Sequence, residues 1–247
     1  MNLENDINRN KHEVESFFKE GWLRPYKLLD KGTIDKITAI YYKTREEFTS
    51  SLELFNNNEI SLEKKPWFKS MHLREEAIKK IALDEIILEK VKSLLGQKII
   101  AWGGTIVERL PGQKHRWHID IEHLHWKGIT VFIGLKGIRK ESSIILISQS
   151  NRINEVPQRF KFSNTSEVLK YCKKHNTECE VIQVEINEGD FFIFDGLTWH
   201  SSENLTSETR LALILQYALD GSDIRIPCNW DEPIKWHKQV PGFLKIP

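Results

Sequence analysis

Four residues of this 247-residue chain combine side chains and spacing suited to redox-metal chemistry: His118, Asp120, His200 and Arg210. His118-Ile119-Asp120 sets an imidazole and a carboxylate two residues apart. On a β-strand, whose side chains alternate with a period of two, both groups face the same way. A second imidazole from a later strand, His200, completes a set of two histidines and one carboxylate. Such a set holds Fe(II) on one face and leaves the remaining coordination positions open. Arg210 heads the apolar run Leu211 to Leu215, where an unpaired guanidinium is costly to bury. Its planar fork matches a carboxylate, which suits an anionic co-substrate. The competing reading of Arg210 is a structural ion pair with Asp190 or Glu208.

The histidine must be chosen from four, because HRWHIDIEHLH over 115–125 also carries His115, His123 and His125. Only His118 is followed two residues later by an aspartate; His123 and His125 make a same-face pair without a carboxylate. A lone His-x-Asp is common by chance, and a polar stretch after Pro111-Gly112 also reads as a solvated loop. The distal segment GDFFIFDGLTWHSSENLTSETRLALILQY tips the balance. It runs from an apolar strand through a turn to His200 and Arg210, then into a second apolar strand. His200 follows Asp120 by 80 residues, room for about four strands to travel around a barrel and return. Both histidines must be neutral to bind a metal, so activity is expected to fall below roughly pH 6.

The elements that must hold these groups change character along the chain. Val14, Phe17, Phe18 and Trp22 mark one face of a short amphipathic helix ending near Gly21, and Ile34, Ile37, Ile40, Tyr41 and Phe48 mark a second across 33–56. Asn56-Asn57-Asn58 then breaks the pattern. A third helix spans Leu83 to Leu95, with Asp84 as cap and Gly96 as stop. From Lys98 the pattern predicts strands: 98–110, GITVFIGL (128–135), SSIILIS (142–148), EVIQVEI (180–186), FFIFD (191–195) and LALILQYAL (211–219). SEVLKYCKKH inside 153–175 reads as a helix, and the proline-bearing tail from Gly221 as a wrapping coil. Helices first and short strands afterwards predict an α+β fold around an antiparallel barrel or sandwich. The expected division is one domain: helical support over 1–97, barrel over 98–219 and tail over 220–247.

Composition narrows the function classes. With 36 basic and 35 acidic residues, net charge +1, there is no electrostatic case for nucleic acid or an anionic membrane. Cys172, Cys179 and Cys228 are odd in number and lack a C-x-x-C, which suits a reducing cytosol. The N-terminal MNLENDINRNKHEVE lacks the apolar core of a signal peptide, and no stretch approaches 18 uncharged apolar residues. The expectation is therefore a cytoplasmic protein without a membrane span. No heptad seam specifies an oligomeric state.

Taken together the motifs resemble the phytanoyl-CoA dioxygenase family of Fe(II)- and 2-oxoglutarate-dependent oxygenases. W-H-x-D at 117–120, GITVFIGL, SSIILIS, G-D-F-F-I-F-D at 189–195, W-H-S-S-x-N at 199–204 and Arg210 fall in the family's order across 98–219. Two departures stand out: SSIILISQSN replaces a glycine-rich phrase ending in Gly-Ser-His, and the His200–Arg210 interval is one residue shorter. The resemblance implies a double-stranded β-helix (jelly-roll, cupin-like) barrel with the N-terminal helices on one face. It implies His118, Asp120 and His200 as ligands of Fe(II). Arg210 would bind the distal carboxylate of 2-oxoglutarate, with the Ser202 hydroxyl as second contact, and dioxygen would be the co-reactant. Related halogenases carry glycine or alanine at the carboxylate position, so Asp120 points to hydroxylation, desaturation or a similar oxidation.

Thr105 and Thr130, on strands flanking the site, are further candidates to hydrogen-bond the co-substrate, with ordinary strand packing as the alternative. Trp102, Trp117, Phe132 and Trp199 could line a pocket or fill the core. His115, His123 and His125 read as exposed loop histidines, and 150–178 as a lid. The expected partner is a small molecule: a polar metabolite, a sugar or glycan precursor, or a natural-product intermediate. The alternatives are a cupin-type metalloenzyme that does not use 2-oxoglutarate and a non-catalytic metal-binding sensor on the same fold. Arg210 separates these readings, since a cupin has no need of it.

Overall fold

The computed structural model describes residues 3–54, 70–121, 126–153, 162–222, 224 and 244–246, with 3–10 and 48–54 described as helical backbone. The N-terminal part supplies helices α1 (Leu3–Glu20), α2 (Lys31–Leu54), α3 (Met71–Arg74), α4 (Glu76–Ala82) and α5 (Glu85–Leu95). The third sequence-predicted helix begins as its cap requires: the Asp84 carboxylate accepts the Ile86 N–H at 2.9 Å. Gly96 ends it at φ 110°, a backbone conformation that costs glycine least.

Trp22 does not continue α1 as its spacing suggested. Gly21 turns the chain at φ 81°, and Trp22–Lys27 becomes strand β1, antiparallel to a later strand. The cross-strand ladder offers Trp22 a buried apolar neighbour in Phe194, which one more helical turn would not.

The remaining strands are β2 (Ile99–Arg109), β3 (Lys114–His118), β4 (Gly128–Lys136), β5 (Ile144–Ser148), β6 (Glu180–Gln183), β7 (Asp190–Asp195), β8 (His200–Glu203), β9 (Arg210–Leu219) and β10 (Leu244–Lys245); helix α6 (Thr165–His175) precedes β6. They form a six-stranded sheet, ordered β1-β7-β4-β9-β2-β10, and a four-stranded sheet, ordered β3-β8-β5-β6. Every pairing between described strands is antiparallel. The two sheets close on Phe132, Phe192, Phe194 and Ala212 from one side and Ile144, Leu146, Val184 and Ile186 from the other. This is the double-stranded β-helix with the helices set against it.

Alternation along each strand assigns the other faces. Ile129, Val131, Ile133, Phe191, Ile193, Leu213, Leu215 and Tyr217 point away from the barrel and bury the helical layer, including Phe17, Ile37, Tyr41, Ile78 and Val91. On the opposite side α6 sets Val168 and Cys172 against Trp117, Ile119, Ile147 and Trp199. The 150–178 stretch is therefore anchored through α6 to the outer surface of the smaller sheet; its residues 154–161 lie outside the described residues. In the tail, read as coil, Leu244 and Lys245 instead pair with Ala101 and Ile100 of β2. Among the described residues no helix is long and apolar enough to cross a membrane.

Candidate metal centre and co-substrate pocket

β3 and β8 are neighbours in the smaller sheet, and His118 and His200 are direct cross-strand partners. Their ring centroids are 4.1 Å apart. Beyond β3 the chain turns so that the Asp120 and Ile121 N–H groups both donate to the Gly196 carbonyl, each at 2.9 Å. Asp120 Oδ1 then lies 3.7 Å from Nε2 of both histidines. The three potential ligand atoms fall within 4.8 Å of one another, a span that one ion can bridge at usual metal–nitrogen and metal–oxygen distances.

Hydrogen bonds fix the imidazole tautomers. His118 Nδ1 is 2.8 Å from the Arg116 carbonyl and His200 Nδ1 is 3.0 Å from the Thr198 carbonyl. A carbonyl oxygen only accepts, so each Nδ1 carries the hydrogen and each Nε2 presents a lone pair to the centre. Backbone carbonyls are a common means of orienting metal-ligating histidines. The Asp195–Thr198 turn does this for both halves of the site: Asp195 Oδ1 accepts the Leu197 N–H at 2.9 Å, which settles the Gly196 and Thr198 carbonyls.

Burial, with the His200 ring alongside, holds His118 well below the ordinary imidazole range, while Asp120 opposes the shift. The depressed value keeps the ring neutral at neutral pH, ready to coordinate without first losing a proton. Protons should therefore compete with a metal less at His118 than at an ordinary imidazole.

Thr130 sits on β4, and its hydroxyl donates to Asp120 Oδ2 at 2.6 Å. That bond commits the proton to the carboxylate and turns Oδ1 toward the histidines. Thr130→Val should weaken metal binding about 10–100-fold, the usual effect of losing such a supporting bond; an unchanged affinity in a metal titration would remove this role. Thr105, on β2 opposite Ile214, faces the same interior one cross-strand layer away and is half-buried.

Arg210 begins β9 and is 1% exposed. Its Nη1 donates to the Ser142 carbonyl at 3.0 Å, and the guanidinium lies over the Phe132 ring, 5.6 Å from the centroid. Nε is buried without a partner among the described residues. The two acids that could have neutralised it are engaged elsewhere: Glu208 with Arg139 at 3.7 Å, and Asp190 with Asn187 at 3.0 Å. Burial, with Arg109 nearby, pushes Arg210 down to about 9, still charged at neutral pH. An orphaned donor on a buried cation inside the barrel fits the carboxylate of a 2-oxo acid. Ser202, 3% exposed and two residues from His200, shares that strand face and pairs across to His115 and Ile144.

The aromatic candidates divide by face. Phe132 lies inside the barrel. Trp117 and Trp199 each precede a histidine of the site and so face outward under α6. Trp102 stands edge-on to Trp126, with centroids 5.4 Å apart, in a cluster with Ile121, Leu197 and Ile224 beside the metal centre. His115 is on β3 rather than in a loop, its ring 4.2 Å from that of His118; His123 and His125 lie outside the described residues. Sequence reasoning missed Gln216 and Arg109. Gln216 is the cross-strand partner of both Thr130 and Gly103, and a Cβ at Gly103 would strike its amide oxygen. Arg109 is the direct partner of Arg210. Both signals lie in strand register, which one sequence does not display.

A jelly-roll barrel with a two-histidine, one-carboxylate site and a buried arginine defines a class of non-haem iron oxygenase. The phytanoyl-CoA dioxygenase (PhyH) family model matches residues 17–212, and the chain belongs to that family. With membership come the family's Fe(II), 2-oxoglutarate and dioxygen, and the general activity of a 2-oxoglutarate-dependent oxygenase. Comparison with curated proteins gave no match. Among solved structures, the chain resembles the non-haem α-ketoglutarate-dependent carbocyclase SnoK from nogalamycin biosynthesis, with a TM-score of 0.67 at 13% identity over 96% of each chain. The epimerase SnoN, in complex with Fe3+, α-ketoglutarate and nogalamycin RO, gives 0.64 at 13% identity, covering 96% of this chain and 92% of that one. EctD from S. alaskensis, with 2-oxoglutarate and 5-hydroxyectoine, gives 0.64 at 15% identity over 87% and 77%. At these identities the likeness is one of fold.

Proposed function

We propose that His118, Asp120 and His200 hold Fe(II), that Arg210 with Ser202 seats the distal carboxylate of 2-oxoglutarate, and that the enzyme hydroxylates a small polar molecule. The observation that carries this reading is the buried Arg210 guanidinium, with an unpartnered Nε and no neighbouring acid among the described residues. Bound iron, with the 2-oxo acid and dioxygen, would supply the oxidant for breaking a substrate C–H bond, with succinate and carbon dioxide as co-products. The chain's own groups bind and orient. The two Nε2 lone pairs and Asp120 Oδ1 would hold the metal, while the Thr130 hydroxyl donates to the other carboxylate oxygen. The interior walls of Phe132, Phe192 and Phe194 keep water from the co-substrate.

A polar substrate is supported by what borders the metal centre. The indole N–H groups of Trp102 and Trp126 are buried without partners among the described residues, and Gln216 adds an amide beside Thr130. Donors of this kind suit a ligand rich in oxygen acceptors, such as a sugar or glycan precursor or a natural-product intermediate. The SnoN and EctD complexes, with nogalamycin RO and 5-hydroxyectoine, are compatible with that class.

The test is an anaerobic titration with Fe(II) and 2-oxoglutarate, followed by a metabolite screen for substrate-stimulated succinate release. Saturable 2-oxoglutarate binding that requires the metal is expected. Metal binding without any 2-oxoglutarate affinity would leave only the cupin or sensor readings.

A further inference from the structure

The far end of the barrel holds a second cation that the reading above does not use. Arg109 closes β2 and Arg210 opens β9, and the two are direct cross-strand partners, so their side chains leave the sheet on the same face. Like charges so placed repel, and here the repulsion is not offset by acids among the described residues. Glu108, the neighbour of Arg109, points to the opposite face and bonds Arg45 at 2.7 Å. Glu203 pairs with Lys114 at 2.8 Å and Glu208 with Arg139 at 3.7 Å. The Arg109 side chain donates from Nη1 to the Glu108 carbonyl at 2.9 Å, and the Arg109 carbonyl accepts from Asn204 Nδ2 at 2.9 Å. The Arg109 Nε, like that of Arg210, is buried and unpartnered. Burial also lowers the Arg109 guanidinium from its usual value, which marks a site where a positive charge is poorly solvated.

Two guanidinium groups on one face, Arg210 buried and Arg109 half-buried, each with a buried idle Nε, call for an anion between them. We propose that Arg109 and Arg210 form a two-guanidinium seat for the distal carboxylate of 2-oxoglutarate, making Arg109 a second co-substrate-binding residue. This rests on the oxygenase reading and extends it to a residue outside the family's motifs as quoted above. A carboxylate has lone pairs for both: one guanidinium engages it through two parallel N–H groups and the other approaches end-on. The arrangement selects for a dicarboxylic 2-oxo acid, because a monoacid such as 2-oxobutyrate could reach the metal but would leave both arginines unneutralised.

The test compares wild type, Arg109→Gln, Arg109→Lys and the surface control Arg139→Gln by anaerobic calorimetry on Fe(II)-loaded protein, titrated with 2-oxoglutarate and with 2-oxobutyrate. Arg109→Gln should weaken 2-oxoglutarate by about 10–100-fold, the range for a hydrogen bond to a charged group. It should leave Fe(II) and 2-oxobutyrate affinities within about twofold, since neither ligand uses the seat by this account. Arg109→Lys should recover part of the loss, and Arg139→Gln should behave as wild type. The proposal is overturned if Arg109→Gln binds 2-oxoglutarate like wild type, or if it loses both 2-oxo acids equally, which would make Arg109 a support of the pocket wall. Failure of wild type to bind 2-oxoglutarate would instead strike down the oxygenase reading, and the seat with it.

Discussion

Replacing Arg210 by methionine is expected to make the ligand-free protein more heat-resistant while destroying its affinity for 2-oxoglutarate. The guanidinium is 1% exposed and faces no carboxylate among the described residues, so folding carries it out of water without a compensating charge. Its bond to the Ser142 carbonyl and its place over Phe132 offset only part of that cost. Methionine fills similar space with atoms that suit Phe132, Ile138 and Ala212. Replacing buried charges by packed apolar groups has gained about 1–4 kcal/mol elsewhere, and each 1 kcal/mol is worth about 2–4 °C in a chain of this size. Removing one partner of a buried charged contact costs about 2–5 kcal/mol of binding, which would weaken 2-oxoglutarate by at least about thirtyfold. Differential scanning calorimetry and an anaerobic titration read the two effects separately. A variant that melts earlier yet still binds the co-substrate would mean that Arg210 serves the fold.

Asp120→Asn should have the second large effect, abolishing iron binding without unfolding the barrel. The amide matches the carboxylate in volume, and its oxygen can still accept from the Thr130 hydroxyl. It removes the one negative charge within a centre whose other ligands are neutral rings. The loss should exceed the 10–100-fold typical of a supporting bond, since a ligand itself is weakened. Circular dichroism should be unchanged, and Fe(II) should no longer raise the melting temperature. Retention of wild-type Fe(II) affinity would exclude Asp120 as a ligand.

What could be read in the sequence, and what could not, follows from where polar side chains were needed. The strands that build the sheets, such as Gly128–Lys136 and Arg210–Leu219, announce themselves through β-rich apolar runs buried on both faces. The strands that carry the site do not. Lys114–His118 and His200–Glu203 turn histidines and serines inward, so they lack the apolar alternation that marks a strand, and both were expected as strands only because the ligand set needed them there. The helices α3 and α4 were likewise not anticipated, being too short to show a period. His118, Asp120, His200 and Arg210 stood out because rare residue types fell at informative spacings. Arg109 did not, because its meaning lies in a partner 101 positions away that only strand register supplies.

The same alternation ties the inside of the barrel to its outside. Trp117 and Trp199 each sit one residue before a histidine of the metal centre, and they face α6 on the other side of the sheet. A displacement of either indole must tilt the adjoining peptide, and with it the imidazole beyond. Trp199 also meets Phe162, with centroids 5.1 Å apart, and Tyr171 of α6. Substitutions in that helix, far from any reacting atom, therefore have a short mechanical route to the coordination geometry. A lineage could retune this centre by altering the backing of the sheet while its ligands stay the same.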